Sequence, residues 1–379
     1  MKPFKNSDGE WVTAQKIIAG LGNFDNLDFD PQLPYCPARY AARLSQAFTA
    51  TDASVSVNVD EIFPEKDIEV VTDGVKYSFT DGVGTMSREV AREIWKKLKR
   101  TRKRLRSIKN QPAAYQIRFM GSKGMLSVDH TLGGRAVLLR DSMIKFEAPD
   151  ARDLEIARAF DRPTPYFLNR PLIMLMEGIG VDFEILERLQ TRAVWQTEAA
   201  ALNLSSAAQL LECYGLGASF RISSVMNSLD KIGIDSLAGD KFYNKFFEFA
   251  QNHVLRELKH HARIPVPGAW TLVGVADVHK YLKPGEIFAC VRPLNSSPIF
   301  LEGPVLISRS PTIHPGDIQV AFAIGRPPPG SCFEKEPLPN TVVFSVLGMC
   351  PLHFSIALAL KHRSVRYRQS TSPKLLGRW

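Results

Sequence analysis

Two short stretches of this 379-residue chain place cations beside residues small enough to let a phosphate approach the backbone. In Ala113–Leu126 (AAYQIRFMGSKGML), Arg118 and Lys123 flank the turn Met120-Gly121-Ser122, and the small Ser122 and Gly124 stand on either side of Lys123. Glycine admits close approach because it has no Cβ. In Ser142–Phe146 (SMIKF), Arg140 and Lys145 sit around a Ser-Met pair. Cations placed this way suit the neutralisation of a polyphosphate. The competing reading makes all four solvated residues of a β unit.

The carboxylates point less clearly to chemistry. Asp28-Phe29-Asp30 spaces two acids by one residue, as metal sites do, but no third acid falls in register, and a surface turn is favoured. In His314-Pro315-Gly316-Asp317, Asp317 could touch a metal or simply set a turn, and the turn is favoured. Asp81-Gly82-Val83-Gly84 is a lone Gly-x-Gly, weak evidence for a phosphate site by itself. No Asp-x-Asp-x-Asp occurs anywhere in the chain. No catalytic residue and no metal ligand is therefore assigned. Cys36, Cys213, Cys290, Cys332 and Cys350 show no Cys-x-x-Cys spacing, which argues against both a zinc site and a disulfide framework and for a reducing compartment.

Charge is spread unevenly. The net charge is +9, yet Lys96–Lys109 holds nine Lys and Arg with no acid, and Pro337–Trp379 holds six with no acid, so the rest of the chain sums to −6. A basic stripe on an otherwise mildly acidic protein is the footprint of a polyanion binder. Its candidate polyanion-contacting residues are Lys96, Lys97, Lys99, Arg100, Arg102, Lys103, Arg104 and Arg106, the ones that would contact RNA if the polyanion is a nucleic acid. The alternative is a solvated helix face. The same run could serve as a nuclear signal, a non-specific one.

These residues need elements to position them. The length allows two domains. The polar start, Met1–Glu10, does not read as a signal peptide, and the apolar run Leu352–Leu360 is too short to span a bilayer. Tyr40, Leu44 and Phe48 recur every four residues and predict one buried helix face, followed by a half-buried strand through Val55, Val57 and Val59. Val75–Thr80 predicts a strand, and Ser87 an N-cap with Glu89 in the first turn. Val90, Ile94 and Leu98 then make a helical apolar stripe running into the basic segment. Ala113–Phe146 reads as short strands joined by glycine turns, a barrel-like or sandwich-like β unit. Asp153–Leu258 reads mostly as helix, interrupted at Gly178 and Gly180, and Arg263–Ser345 returns to strands. Beyond Val346 the sequence is basic and poorly patterned.

Taken in order, SFTDGVGTMS (Ser78–Ser87), AAYQIRFMGSKGML, SMIKF and PTIHPGDI (Pro311–Ile318) resemble the eukaryotic, fungal-like RNA-dependent RNA polymerases of the RNA-silencing type, with the resemblance covering about 37–345. It implies an α+β fold: a double-psi β-barrel-like unit, a helical connector and a second β-barrel that bears the metal loop. On this chain the expected divisions are a turn-rich segment 1–36, a first β-barrel-like unit with the basic helix 37–150, a connector 151–262, an incomplete second barrel 263–345 and a divergent basic tail 346–379. It implies template-directed RNA synthesis in gene silencing, with single-stranded RNA and nucleoside triphosphates as partners, Mg2+ as cofactor, and an intracellular setting in nucleus or cytoplasm. By motif match, Lys123 and Lys145 are expected to contact phosphate, with Arg118 and Arg140 next. The family's Asp-Leu-Asp-Gly-Asp loop follows a Val-Val-Phe-Ser strand. Here Val342-Val343-Phe344-Ser345 is present and the loop is not. The Mg2+ ligands are thus missing, and an inactive chain with an exposed sheet edge is expected. A catalytically dead RNA-binding module and a non-functional fragment remain the alternatives.

Overall fold

The computed structural model describes the chain except for residues 1, 2, 7, 21–29, 73, 103, 104, 107, 109, 147, 149, 150, 235, 238, 294–296, 310, 349–356 and 362–379. Asp28 and Phe29, Lys103 and Arg104, Cys350 and most of the basic tail therefore lie outside the described residues. Asp30 is described and pairs with Arg39 at 2.8 Å, as befits a surface turn.

A short pair, β1 (Phe4–Lys5) and β2 (Trp11–Val12), precedes α1 (Ala14–Gly20) and α2 (Pro37–Leu44). The first sheet takes β3 (Asp52–Ser56), β4 (Ile62–Glu65), β7 (Val83–Met86), β8 (Ala114–Phe119), β9 (Ser122–Val128), β10 (Val137–Arg140) and β11 (Asp153–Ala159). Its spatial order is β3-β11-β8-β9-β7-β10-β4, so its two end strands are consecutive in the chain. A separate hairpin, β5 (Glu69–Thr72) and β6 (Val75–Ser78), lies between β4 and β7 in sequence. Helix α3 (Arg88–Thr101) starts at Ser87, whose hydroxyl accepts from the Val90 N–H, as an N-cap should. It buries Val90, Ala91, Ile94, Trp95 and Leu98 against Tyr115, Ile117 and Leu126 of the sheet.

Next come β12 (Thr164–Phe167), α4 (Arg170–Gly178), α5 (Phe183–Ala199), α6 (Leu204–Tyr214), α7 (Ile222–Lys231) and α8 (Lys241–His261). The break between α4 and α5 falls at Gly178–Gly180, where Gly180 takes a φ of +93° that a side chain rarely adopts. The second sheet contains β12, β13 (Pro265–Ala276), β14 (Glu286–Val291), β15 (Ile299–Phe300), β16 (Glu302–Arg309), β17 (Ile318–Ile324), β18 (Thr341–Phe344) and β19 (Ala357–Lys361), with a short α9 (Cys332–Lys335) before β18.

Several expectations are corrected. Phe48 is 39% exposed, because α2 ends at Leu44 and a tighter 3-10 turn (Ser45–Phe48) turns its ring away from the core. Val59 is exposed too, since Asn58 and Glu61 cap a 3-10 turn there and end the alternation. Asp153–Ala159 is strand rather than helix: β11 pairs with β3 and β8, carrying the first sheet past residue 150. The expected open edge of the second sheet is covered. Ala357–Lys361, within the stretch read as a divergent tail, pairs with both β13 and β16. Covering an edge removes the unpaired backbone that invites aggregation.

The two sheets are packed against one another. Val83 and Met125 of the first share an apolar cluster with Val275, Phe288 and Val343 of the second and with Leu282 between β13 and β14. Phe288 stacks on Phe333 with ring centroids 4.3 Å apart. Arg88, at the start of α3, reaches Glu336 at 2.9 Å.

Candidate functional site

The β8–β9 hairpin sets the geometry of the cations. Its register makes Arg118 the direct cross-strand partner of Lys123, and Phe119 that of Ser122. Like charges directly opposite one another destabilise a sheet. Lys145 joins them because its N–H donates to the Gly121 carbonyl at 3.2 Å and Ile144 bridges to Ser122. Arg43, from α2, is a fourth member that sequence reasoning missed. Burial lowers the pKa of Lys123, and the charges of Arg118, Arg43 and Lys145 lower it further. Burial and Arg43 lower that of Lys145, with Asp81 and Asp67 pulling the other way. Burial also lowers that of Arg118, against Glu155. Among the described residues no carboxylate comes within ion-pair distance of any of the four. None of the four is neutralised by a direct ion pair, although Asp67, Asp81 and Glu155 act on them from further away, and Lys145 Nζ and Arg118 Nη1 donate to the carbonyls of Ser142 and Ile117.

Asp67 holds this site together, and nothing in the sequence marked it. Its carboxylate accepts from the Thr80 hydroxyl at 2.7 Å, the Ser142 hydroxyl at 2.9 Å and the Ser142 N–H at 3.0 Å. Ser142 Oγ in turn accepts from the Gly82 N–H at 2.8 Å. The DGVG turn and the Ser-Met motif are thus latched to one carboxylate. The glycines permit the close approach: a Cβ on Gly121 would lie 1.9 Å from the Phe146 carbonyl oxygen, and one on Gly124 2.3 Å from that of Gly82.

Arg140 is the exception among the expected phosphate ligands. Its side chain is 1% exposed, Nε donates to the Val83 carbonyl at 3.1 Å, Nη1 to Lys66 O at 2.5 Å, and Nη2 pairs with Glu65 at 3.0 Å. Its donors are committed to tying β10 to β7 and β4, so it serves the sheet rather than an incoming anion. Arg140→Met is expected to cost about 1–3 kcal/mol for the buried Val83 carbonyl left without its partner. Half-exposed Glu65 rehydrates and adds little. Chemical denaturation should show the loss while RNA affinity stays unchanged.

The basic helix is only partly a free stripe. Lys96, Lys97 and Arg100 are on its solvent side, and Lys99 lies over the Trp95 ring at 5.4 Å. Arg102 is paired with Asp52. Arg106 folds back to donate to the carbonyls of Lys99 and Arg100 at 3.3 and 3.2 Å, capping the helix end. Beside Arg102, a cleft of about 290 Å³ is lined by Arg158, Asp161 and Arg162.

Metal chemistry has little support at the position the resemblance implies. Among the described residues, Ser345–Gly348 after β18 carries no carboxylate. Asp317 is a turn residue: its carboxylate accepts from the N–H groups of Ile313 and His314 at 3.0 and 2.9 Å and meets Arg309 at 3.2 Å. Burial works to raise its pKa and is outweighed by these contacts. These residues do not fit a pair of Mg2+ ions, which need several carboxylates. One cluster of the right residue types does exist, Asp129 with His130 and His279, where the two sheets meet. Burial of Asp129 is outweighed by hydrogen bonds from His279 and Thr131, which bring its pKa down to about 2.

The fold is two sheets joined by helices, with a cluster of cations on the first. The chain matches the profile of the RNA dependent RNA polymerase family over residues 1–357, and it belongs to that family. It is 30% identical over 318 residues to RNA-dependent RNA polymerase 1 of Arabidopsis thaliana, covering 83% of this chain and 27% of that protein. With RNA-dependent RNA polymerase 1 of Schizosaccharomyces pombe it shares 26% identity over 374 residues, 90% of this chain and 28% of the other. The chain thus spans little more than a quarter of the length of these relatives. In fold it is similar to the RNA dependent RNA polymerase QDE-1 from Thielavia terrestris, with a TM-score of 0.68 at 20% identity, over 93% of this chain and 40% of that one. No helix among the described residues is long and apolar enough to cross a membrane.

Proposed function

We propose that this chain carries the phosphate- and RNA-contacting part of an RNA-dependent RNA polymerase of the silencing type, and that by itself it binds single-stranded RNA without joining nucleotides. The observation that carries the reading is the cluster of Arg43, Arg118, Lys123 and Lys145, built on the family's motifs and in direct ion pairing with no carboxylate among the described residues. In the whole enzyme these cations would neutralise a nucleoside triphosphate or the RNA backbone. A pair of double-psi β-barrels is supported by a shared pairing order. In the second sheet β13 pairs parallel with β18, β18 antiparallel with β14, β14 parallel with β17, and β16 lies between β17 and β19. The first sheet repeats this with β4, β10, β7, β9, β8 and β11 in the same places. The absence of an Asp-x-Asp-x-Asp from the sequence supports the lack of synthesis, because metal-held carboxylates stabilise both the attacking and the leaving oxygens.

Labelled single-stranded RNA, titrated by fluorescence anisotropy across a salt series, tests this. Four phosphate contacts predict a slope of log affinity against log salt of about −3. The lowered lysine pKa values add a pH dependence with two opposite signs. RNA selects the protonated lysines, so affinity should fall as pH rises toward the ordinary lysine value of about 10.4. The charged forms are penalised in the folded state, so stability should rise over the same window. With nucleoside triphosphates and Mg2+ added, no extended product is expected. Salt-insensitive or absent binding would overturn the RNA reading, and product formation would overturn the inactivity.

A further inference from the structure

Three groups that the RNA reading leaves unused meet where the sheets join. Asp129 follows β9, His130 is next to it, and His279 lies on the turn after β13. His279 Nε2 is 3.3 Å from Asp129 Oδ1, and the rings of His130 and His279 have centroids 5.1 Å apart, tilted by 52°. One ligand atom from each of the three falls within 4.8 Å of the other two, and no other group of this kind is found among the described residues.

Both strands of support are fixed before any ion arrives. The Asp129 N–H donates to Met86 O at 2.9 Å, and its Oδ1 accepts from the Thr131 N–H at 2.9 Å and hydroxyl at 2.7 Å. On the other side, Asp277 accepts from the N–H groups of His279 at 3.2 Å and Leu282 at 2.7 Å, while its own N–H donates to Phe344 O at 2.8 Å. Hydrogen-bonded supports of this sort orient metal ligands. Two ligands about 2.0–2.1 Å from one tetrahedral ion stand about 3.3–3.4 Å apart, which matches the His279–Asp129 separation. An ion pair accounts for that separation too. It gives no reason for a second imidazole in the same sphere.

We propose that Asp129, His130 and His279 bind a divalent transition-metal ion of the Zn2+ class, leaving a fourth position open, and that the ion pins the first sheet to the second. Two imidazoles and one carboxylate favour such an ion over Mg2+, which prefers oxygen ligands. Arg88 and Lys335 lie close enough to His130 to oppose a cation, but Arg88 is paired with Glu336. The inference does not depend on the RNA reading.

The test is titration of the metal-free full chain with Co2+, whose visible absorption reports its ligand geometry. One ion per chain is expected, displaced by Zn2+ and not by Mg2+, with a thermal midpoint raised several degrees by Zn2+. His130→Gln and His279→Gln should each weaken binding at least ten-fold. Replacing His260 and His261 on α8 by Gln together should leave it unchanged. Wild-type affinity in both single variants, or its loss in the α8 variant, would overturn the proposal. Should His279→Gln unfold because its ion pair is lost, His130→Gln decides alone, since His130 makes no ion pair among the described residues.

Discussion

Replacing Lys123 and Lys145 together by Glu is expected to lower affinity for single-stranded RNA by at least about 100-fold near 0.1 M salt, and to flatten the salt slope by about 1.4. A unit charge about 4 Å from a phosphate is worth roughly 4 kcal/mol near a protein surface before screening. Reversal both removes that attraction and introduces repulsion, so a 100-fold loss is a modest demand. Lys123→Glu alone should leave stability intact or raise it slightly, whereas Lys145→Glu would set a carboxylate facing Asp67 and Asp81 and lose the Lys145 Nζ donation to the Ser142 carbonyl. Lys123 faces Arg118 across the hairpin, and an opposite-charge cross-strand pair is worth about 0.2–1 kcal/mol. Loss of binding in Lys123→Glu with unaltered or improved stability separates a binding role from a structural one. A matched triple reversal at Lys96, Lys97 and Arg100 on α3 compares the helix with the hairpin. If the triple variant loses more affinity than the hairpin variant, the contact surface is the helix, and the cation cluster is not the principal site.

Gly121→Ala is expected to give the larger stability effect. Gly121 has a φ of +81°, where a side chain is strained, and its new Cβ would fall 1.9 Å from a backbone oxygen of Phe146. Strained backbone costs about 1–3 kcal/mol, and forcing atoms into a packed site costs about 1–3 more. A rotamer change cannot relieve the contact, because the obstructing atom is main chain. The hairpin tip would have to move off the SMIKF segment, taking Lys145 away from Lys123. RNA affinity should therefore fall along with the denaturation midpoint. Gly133→Ala is the control: its Cβ would meet nothing within 4 Å, and no change beyond about 0.5 kcal/mol is expected. Equal midpoints for the two variants would show that the hairpin tip does not need its glycine.

Local pattern carried a good part of this fold. The stripe of Val90, Ile94 and Leu98 and the cap at Ser87 are set by residues within a few positions of one another, and α3 follows them. The interruption at Gly178–Gly180, the strands flanking Gly121 and the helical periodicity of Lys241–Leu258 are of the same kind. Lys123 and Lys145 could be named because motif and cation coincide in one short string. Other features depended on partners far away in the chain. Arg140 looks like its basic neighbours in sequence, and only the carbonyls of Lys66 and Val83, with Glu65, decide that it is buried. Asp153–Ala159 carries a short alternation of Leu154 and Ile156 with acids, and β3 and β8 supply the hydrogen bonds that make it a strand. Ala357–Lys361 becomes a strand because β13 and β16 both present unpaired backbone to it. Asp129 and His279 are separated by 150 positions, and no spacing rule links them. The sequence by itself determined the local elements and the family motifs, since propensity, caps and glycine turns act over a few residues. The tertiary structure alone decided which charges are spent inside the sheets and which are left without an ion pair, because burial and pairing depend on chain segments that only folding brings together.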